Sequence, residues 1–169
     1  MTLRHGTSAA VEPPPPPPWR RTALPVVGGL IGVSFAPGSE LLLVISHQGR
    51  AVFDCSLGER VARDRNEDVA AWTEGQVAIG IGPLDGVRLR VAGLWGGALP
   101  DRTSDGWSVA LSDGCFELLD LDQPVHRFDP RLTDERAHGF SESGLSLVLA
   151  TSSDIDILSR AHSPHDRGM

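Results

Sequence analysis

The chain has 169 residues, 40% of them hydrophobic, and a formal net charge of −7. That length suits one domain with a core of its own, built without the help of disulfides or metal. The negative charge repels phosphate backbones, so nucleic acid is not an expected partner. All fifteen basic residues are Arg and lie scattered along the sequence, Lys and Tyr are absent, and Asn66 is the single asparagine. Such usage reads as the coding bias of a GC-rich bacterial genome. Residues 1–11 lack the apolar stretch of a secretory signal. The longest apolar runs, such as 41–45, fall far short of the ~20 residues a membrane span requires. The expected location is the cytoplasm, with no membrane partner.

Residues 1–21 stand apart. Six consecutive prolines, 13–18, precede Trp19, Arg20 and Arg21. Prolines lock φ and lack an N–H, so the run joins neither a helix interior nor a central strand. It reads as a polyproline II segment in a disordered tail, either a spacer or a ligand for an aromatic groove with Trp19 or Arg20 as anchor. Residues 161–169 read as a second disordered tail. The domain is expected over 22–160.

Within it, short β-runs alternate with turns. GVSFA at 32–36 alternates, and Pro37-Gly38 turns the chain. LLLVIS at 41–46 is almost continuously apolar, as a strand covered on both faces should be. AVFDC at 51–55 alternates again, and ERVAR at 59–63 reads as an exposed edge strand. Residues 69–72, 77–81 and 87–91 follow as weaker strands, then 109–112 and 115–122, then 136–142, 145–152 and 154–159. TALPVV at 22–27 is an extra strand ahead of the first unit. Helical periodicity is poor throughout.

The text repeats. The phrase from Gly139 to Asp154 echoes the one from Ser34 to Gln48, and Phe35 and Phe140 lie 105 positions apart. Leu119-Asp120 matches Phe53-Asp54 at a distance of 66 positions, and Trp72 follows Phe35 by 37. Four units of about 35 residues result. The phrase Val33-Ser34-Phe35-Ala36-Pro37-Gly38, the apolar strand 41–46 and Phe53-Asp54 resemble a WD40-type repeat. The resemblance is clear over 31–62 and 137–160, partial over 107–128 and faint over 66–98. The opening Gly-His pair and the closing Trp of that family are missing. The resemblance implies a small β-propeller of about four antiparallel meander blades, with the N-terminal strand serving as outer strand of the last blade. A half ring completed by a partner or a second copy, or a curled sheet that never closes, stays open as an alternative.

No motif carries specific chemistry. Ser34 grazes the G-x-S-x-G pattern, but no helix follows it. Cys55 and Cys115 read as buried small hydrophobes, and the histidines show no metal-ligand spacing. The Asp120/Asp122 and Asp154/Asp156 doublets read as turn or surface groups. No catalytic, cofactor or metal residue is assigned. The candidate interaction surface comprises Trp95, Arg102 and Trp107 around the irregular stretch 93–108, together with Trp19. The expectation is a non-enzymatic scaffold that binds a protein partner. The alternatives are a ligand-binding protein or enzyme using the central channel, for which His47, Asp113 or Asp154 would have to converge, and a self-associating half-propeller.

Overall fold

The computed structural model describes residues 12–130 and 133–161. The chain is all-β, with four antiparallel sheets. Strand β1 (Arg20–Ala23) comes first. Sheet 1 then forms from β2 (Leu30–Phe35), β3 (Leu41–Ser46), β4 (Gly49–Asp54) and β5 (Glu59–Asp64). Sheet 2 contains β6 (Thr73–Glu74), β7 (Val77–Ile79) and β8 (Arg88–Arg90). The short β9 (Ala92–Gly93) returns to pair with β2 and completes sheet 1 in the order β5-β4-β3-β2-β9. Sheet 3 is β10 (Trp107–Ser112), β11 (Cys115–Asp120) and β12 (Gln123–Arg127). Sheet 4 is β13 (Glu135–Phe140), β14 (Ser146–Thr151) and β15 (Ile155–Ser159), joined at its edge by β1.

The cores follow from side-chain alternation. Successive residues of a strand point to opposite faces. On β3, Leu42 and Val44 face one layer while Leu43 and Ile45 face another. On β14, Val148 and Ala150 join the first of these cores, and Leu147 and Leu149 a third. Sheets 1 and 4 are therefore covered on both faces, which explains their unbroken apolar runs. Each such buried aliphatic side chain contributes roughly 1.5–3 kcal/mol relative to exposure. The layers stack as sheet 3, sheet 4, sheet 1, sheet 2. Sheets 2 and 3 bury one face each, as Arg88-Leu89-Arg90 shows with its exposed–buried–exposed pattern. Among the described residues no buried apolar cluster joins sheet 2 to sheet 3.

The two clearest copies of the repeated phrase lie side by side and exchange carboxylates. Glu40, after the first turn, accepts hydrogen bonds from the hydroxyls of Ser141 (2.6 Å), Ser143 (3.0 Å) and Ser146 (2.9 Å) in the second copy. Glu142 of the second turn accepts the Gly38 N–H at 2.9 Å.

Two expectations change. The stretch 69–72 is a 3-10 turn, Val69–Ala71, rather than a strand. Asp64 and Asn66 each accept the amide two residues on, which curls the chain, and Ala70-Ala71 lack the branched bulk that favours extension. The proline-rich segment also does not end where the prolines suggest. Trp19 is buried at 3% exposure, and β1 begins at Arg20, pairing Arg20 with Ser159 and Arg21 with Leu158. The indole has more apolar surface to bury than the preceding prolines can offer, and the aromatic cavity between sheets 3 and 4 takes it. Of the expected tails at 1–21 and 161–169, residues 1–11 and 162–169 lie outside the described residues. No helix among the described residues is long and apolar enough to cross a membrane.

Candidate functional site

The connection from β9 to β10, residues 94–106, is bonded to all four sheets. Leu94 N–H donates to the Ile31 carbonyl of sheet 1 at 2.8 Å. Gln76, in the β6–β7 turn of sheet 2, donates its side-chain amide to the Trp95 carbonyl at 2.7 Å. Phe140 N–H of sheet 4 reaches the Pro100 carbonyl at 2.7 Å, and Val109 N–H of sheet 3 reaches the Asp101 carbonyl at 3.0 Å. Glycine makes the approach possible. At Gly139 (φ +152) an added Cβ would collide with Leu99 and the Pro100 carbonyl. The stretch that reads in sequence as irregular, within 93–108, is thus a hydrogen-bonded tie across the sheet ends.

On either side of this tie lies a cleft. One, of about 280 Å³, is lined by Phe35, Leu99, Pro100 and Phe140, with Arg90 and Glu142 also in its wall. The other, of about 320 Å³, is more polar and includes Asp101, Glu135 and His138. His138 Nδ1 sits 2.9 Å from Glu135 Oε1, and its ring packs against Phe116. These volumes are at or below the lower end of the ~300–1,000 Å³ range of small-molecule pockets. They suit one or two inserted side chains better than a nucleotide-sized cofactor.

The four sequence candidates part company here. Arg102 is exposed and pairs with Asp122 at 3.0 Å. Trp95 is half-buried against the core between sheets 1 and 2, leaving its neighbour Leu94 exposed at 53%. Trp107 and Trp19 are both buried and meet edge to face with ring centroids 5.8 Å apart. They belong to the core between sheets 3 and 4, because indoles bury large apolar areas wherever a layer interface offers room. The geometry does not bring these four together as one surface.

Trp19 is held by a second device. The Arg160 guanidinium lies 5.2 Å from its ring centroid and makes a two-pronged pair with Asp105, its Nη2 at 2.8 Å from Asp105 Oδ1. That pairing, chiefly its hydrogen bonds, holds the Asp105 carboxyl down at about 2. Arg21 bonds the fully buried Asp156 through Nε and Nη2, both at 2.7 Å, and also meets Glu12. Asp156, expected among turn and surface groups, is instead buried with its partner 135 positions away. Asp154, the other half of that doublet, accepts the Thr151 hydroxyl at 2.8 Å.

Other candidates fall into structural places. Ser34 lies in β2 opposite Leu43, with 5% exposure. Cys55 and Cys115 are buried free thiols, and burial raises the Cys55 thiol well above its ordinary range. Ring burial against Phe128 pushes His126 below the usual histidine range. Its Nε2 has no hydrogen-bond partner among the described residues. His47 and Asp113 are exposed on separate turns, after β3 and after β10. Among the described residues no group of three or more His, Cys, Asp or Glu is placed to hold a metal ion. No protein-family model matches the chain, and no curated protein matches it.

Proposed function

We propose that the chain is a non-enzymatic interaction module of WD40-like type, a small propeller-like scaffold whose axial face around residues 91–102 receives a protein partner. The observation that carries the reading is the four-way tie of residues 94–106. It fixes an exposed Leu94, a half-buried Trp95 and a small apolar cleft on a rigid base. Loops held on rigid scaffolds are where binding residues concentrate. The propeller reading draws support from topology. Strand β13 lies beside both β2 and β10, the strands of sheets 1, 3 and 4 follow one another as meanders from these, and β1 shares the last sheet with β15. Affinity purification from the native host, with the wild type and a Leu94→Asp/Arg102→Glu variant as baits, tests the proposal. A specific partner recovered by the wild type and lost by the folded variant is expected. No specific partner, or one held equally by both, overturns it.

A second reading has one observation in its favour. Sheets 2 and 3 share no apolar cluster among the described residues, so a second copy could close the stack into a larger ring. Exposed Arg88, Arg90 and Arg127 on those sheets weigh against it. Light scattering on the purified chain decides: a monomer at ~100 μM retires this reading, and a dimer supports it.

A further inference from the structure

A groove opens at the outer rim between sheets 1 and 4, away from the axial face. Val44, Ala51 and Phe53 form the apolar part of its floor, and Ser46 and Gln48 also line it. One wall is the segment 25–27, fixed to sheet 4 by the Val27 N–H to Ser153 carbonyl bond (2.8 Å) and the Ile155 N–H to Pro25 carbonyl bond (3.0 Å). That wall exposes Val26 at 86%, the most exposed large hydrophobic residue described. The other wall carries Arg60 and Arg63 of the edge strand β5.

Three positions apart, these arginines would face opposite ways on a regular strand. A bulge between Val52 and Phe53 in the β4–β5 ladder changes that, pairing Phe53 with Arg60 and Ala51 with Arg63. Phe53 and Ala51 belong to the core between sheets 1 and 4, so both guanidinium groups are brought to that face. Among the described residues neither Arg60 nor Arg63 has a carboxylate within ion-pair distance. Arg50, also at the groove, is already taken up by Asp64, the Ile79 carbonyl and the Trp72 ring. Among the described residues, both cations thus line the groove without an ion-pair partner.

We propose that this groove docks an acidic peptide segment of a partner protein, with carboxylates facing Arg60 and Arg63 and an aliphatic side chain seated against Val26, Val44 and Phe53. Size selects the anchor. The cavity at the groove's base is about 70 Å³. Roughly 150 Å³ is enough to hold benzene, so the smaller branched end of Val or Leu is the better match to this groove. Two cations, an apolar floor and an acidic chain favour a peptide over a polyphosphate backbone, which needs many basic contacts. The site is independent of the axial face, so either can fail without the other.

The probe is a fluorescein-labelled Ser-Asp-Leu-Glu-Ser peptide titrated into the full chain. Anisotropy reports affinity and amide shifts report position. Expected are saturable binding, shifts confined to 25–27, 44–53 and 60–63, and loss of binding when the peptide Leu becomes Ser or Phe. Arg60→Glu/Arg63→Glu should weaken binding at least about tenfold, with Arg60→Lys/Arg63→Lys restoring most of it. Both sites are exposed, so the thermal transition should hold. Val26→Asp is a second variant that leaves the arginines in place and should also weaken binding. Unchanged binding in the Glu variants, shifts centred on 94–102, or equal binding of the Leu→Ser peptide overturns the proposal. So does displacement by inorganic phosphate or tighter binding of a short RNA, either of which would mark a phosphate site.

Discussion

At the scale of single residues, the most constrained group is the Arg160–Asp105–Trp19 clasp. Asp105 titrates at about 2 in the fold, held below its ordinary 3.8 by Arg160. A carboxylate with a depressed native pKa stabilises fully above its unfolded pKa and loses that contribution as pH falls through the native one. The loss should fall between about pH 4 and pH 2, and urea titrations of Asp105→Asn should show a flatter stability profile across that window. Asp105 is half exposed, so solvent screens the pair and the effect is modest. His126 works in the same sense at higher pH. Burial lowers its pKa, so the unfolded chain binds the proton better and stability should decline as pH drops below about 6.5. His126→Gln should remove that slope. Trp19→Ala should cost roughly 3–5 kcal/mol, because the indole fills the space between Trp107 and Phe140 and nothing nearby can replace it. A loss under about 1 kcal/mol in chemical unfolding would mean the segment is not docked as described.

At the scale of elements, β1 joins the two ends of the domain. It pairs with β15, and its Thr22 hydroxyl donates to the Cys55 carbonyl at 2.8 Å in the β4–β5 turn of sheet 1. Gly58, in the β4–β5 turn with φ +70, leaves no room for a Cβ against the Thr22 carbonyl. Removing residues 12–23 should therefore lower stability throughout rather than trim a tail. A calorimetric transition unchanged by that deletion would contradict the arrangement. Element identity was readable in the sequence where a residue pattern is local. The run 41–46 is β3 because only a strand covered on both faces tolerates so many apolar neighbours. The stretch 69–72 misled because Asx turns at Asp64 and Asn66 outcompete weak strand propensity. Of the candidate surface, Arg102 was legible as a loop charge. Trp19 and Trp107 were not legible as core, since an indole in an irregular stretch has the same composition whether it binds a partner or plugs a layer.

At the scale of the whole molecule, stability should grade from the middle of the stack outward. Strands β3 and β14 lie in sheets covered on both faces, while sheet 2 is short, with one face open and exposed Arg88 and Arg90. Hydrogen exchange should find the slowest amides in β3 and β14 and the fastest strand amides in β6 and β8. Equal protection across all four sheets would refute the layered order. Residue patterns suffice to mark the chain as all-β, to place its strongest strands, and to pair the phrase at 34–48 with the one at 139–154. Those follow from a side-chain period of two and from turn chemistry, both local properties. Which faces meet, the bonding of residues 94–106 to all four sheets, the place of Trp19 in the core and the shared groove of Arg60 and Arg63 emerge only once the chain is folded. Each depends on contacts between distant residues or on a one-residue bulge, and a bulge reverses the face of a side chain without leaving a mark in the pattern of residues.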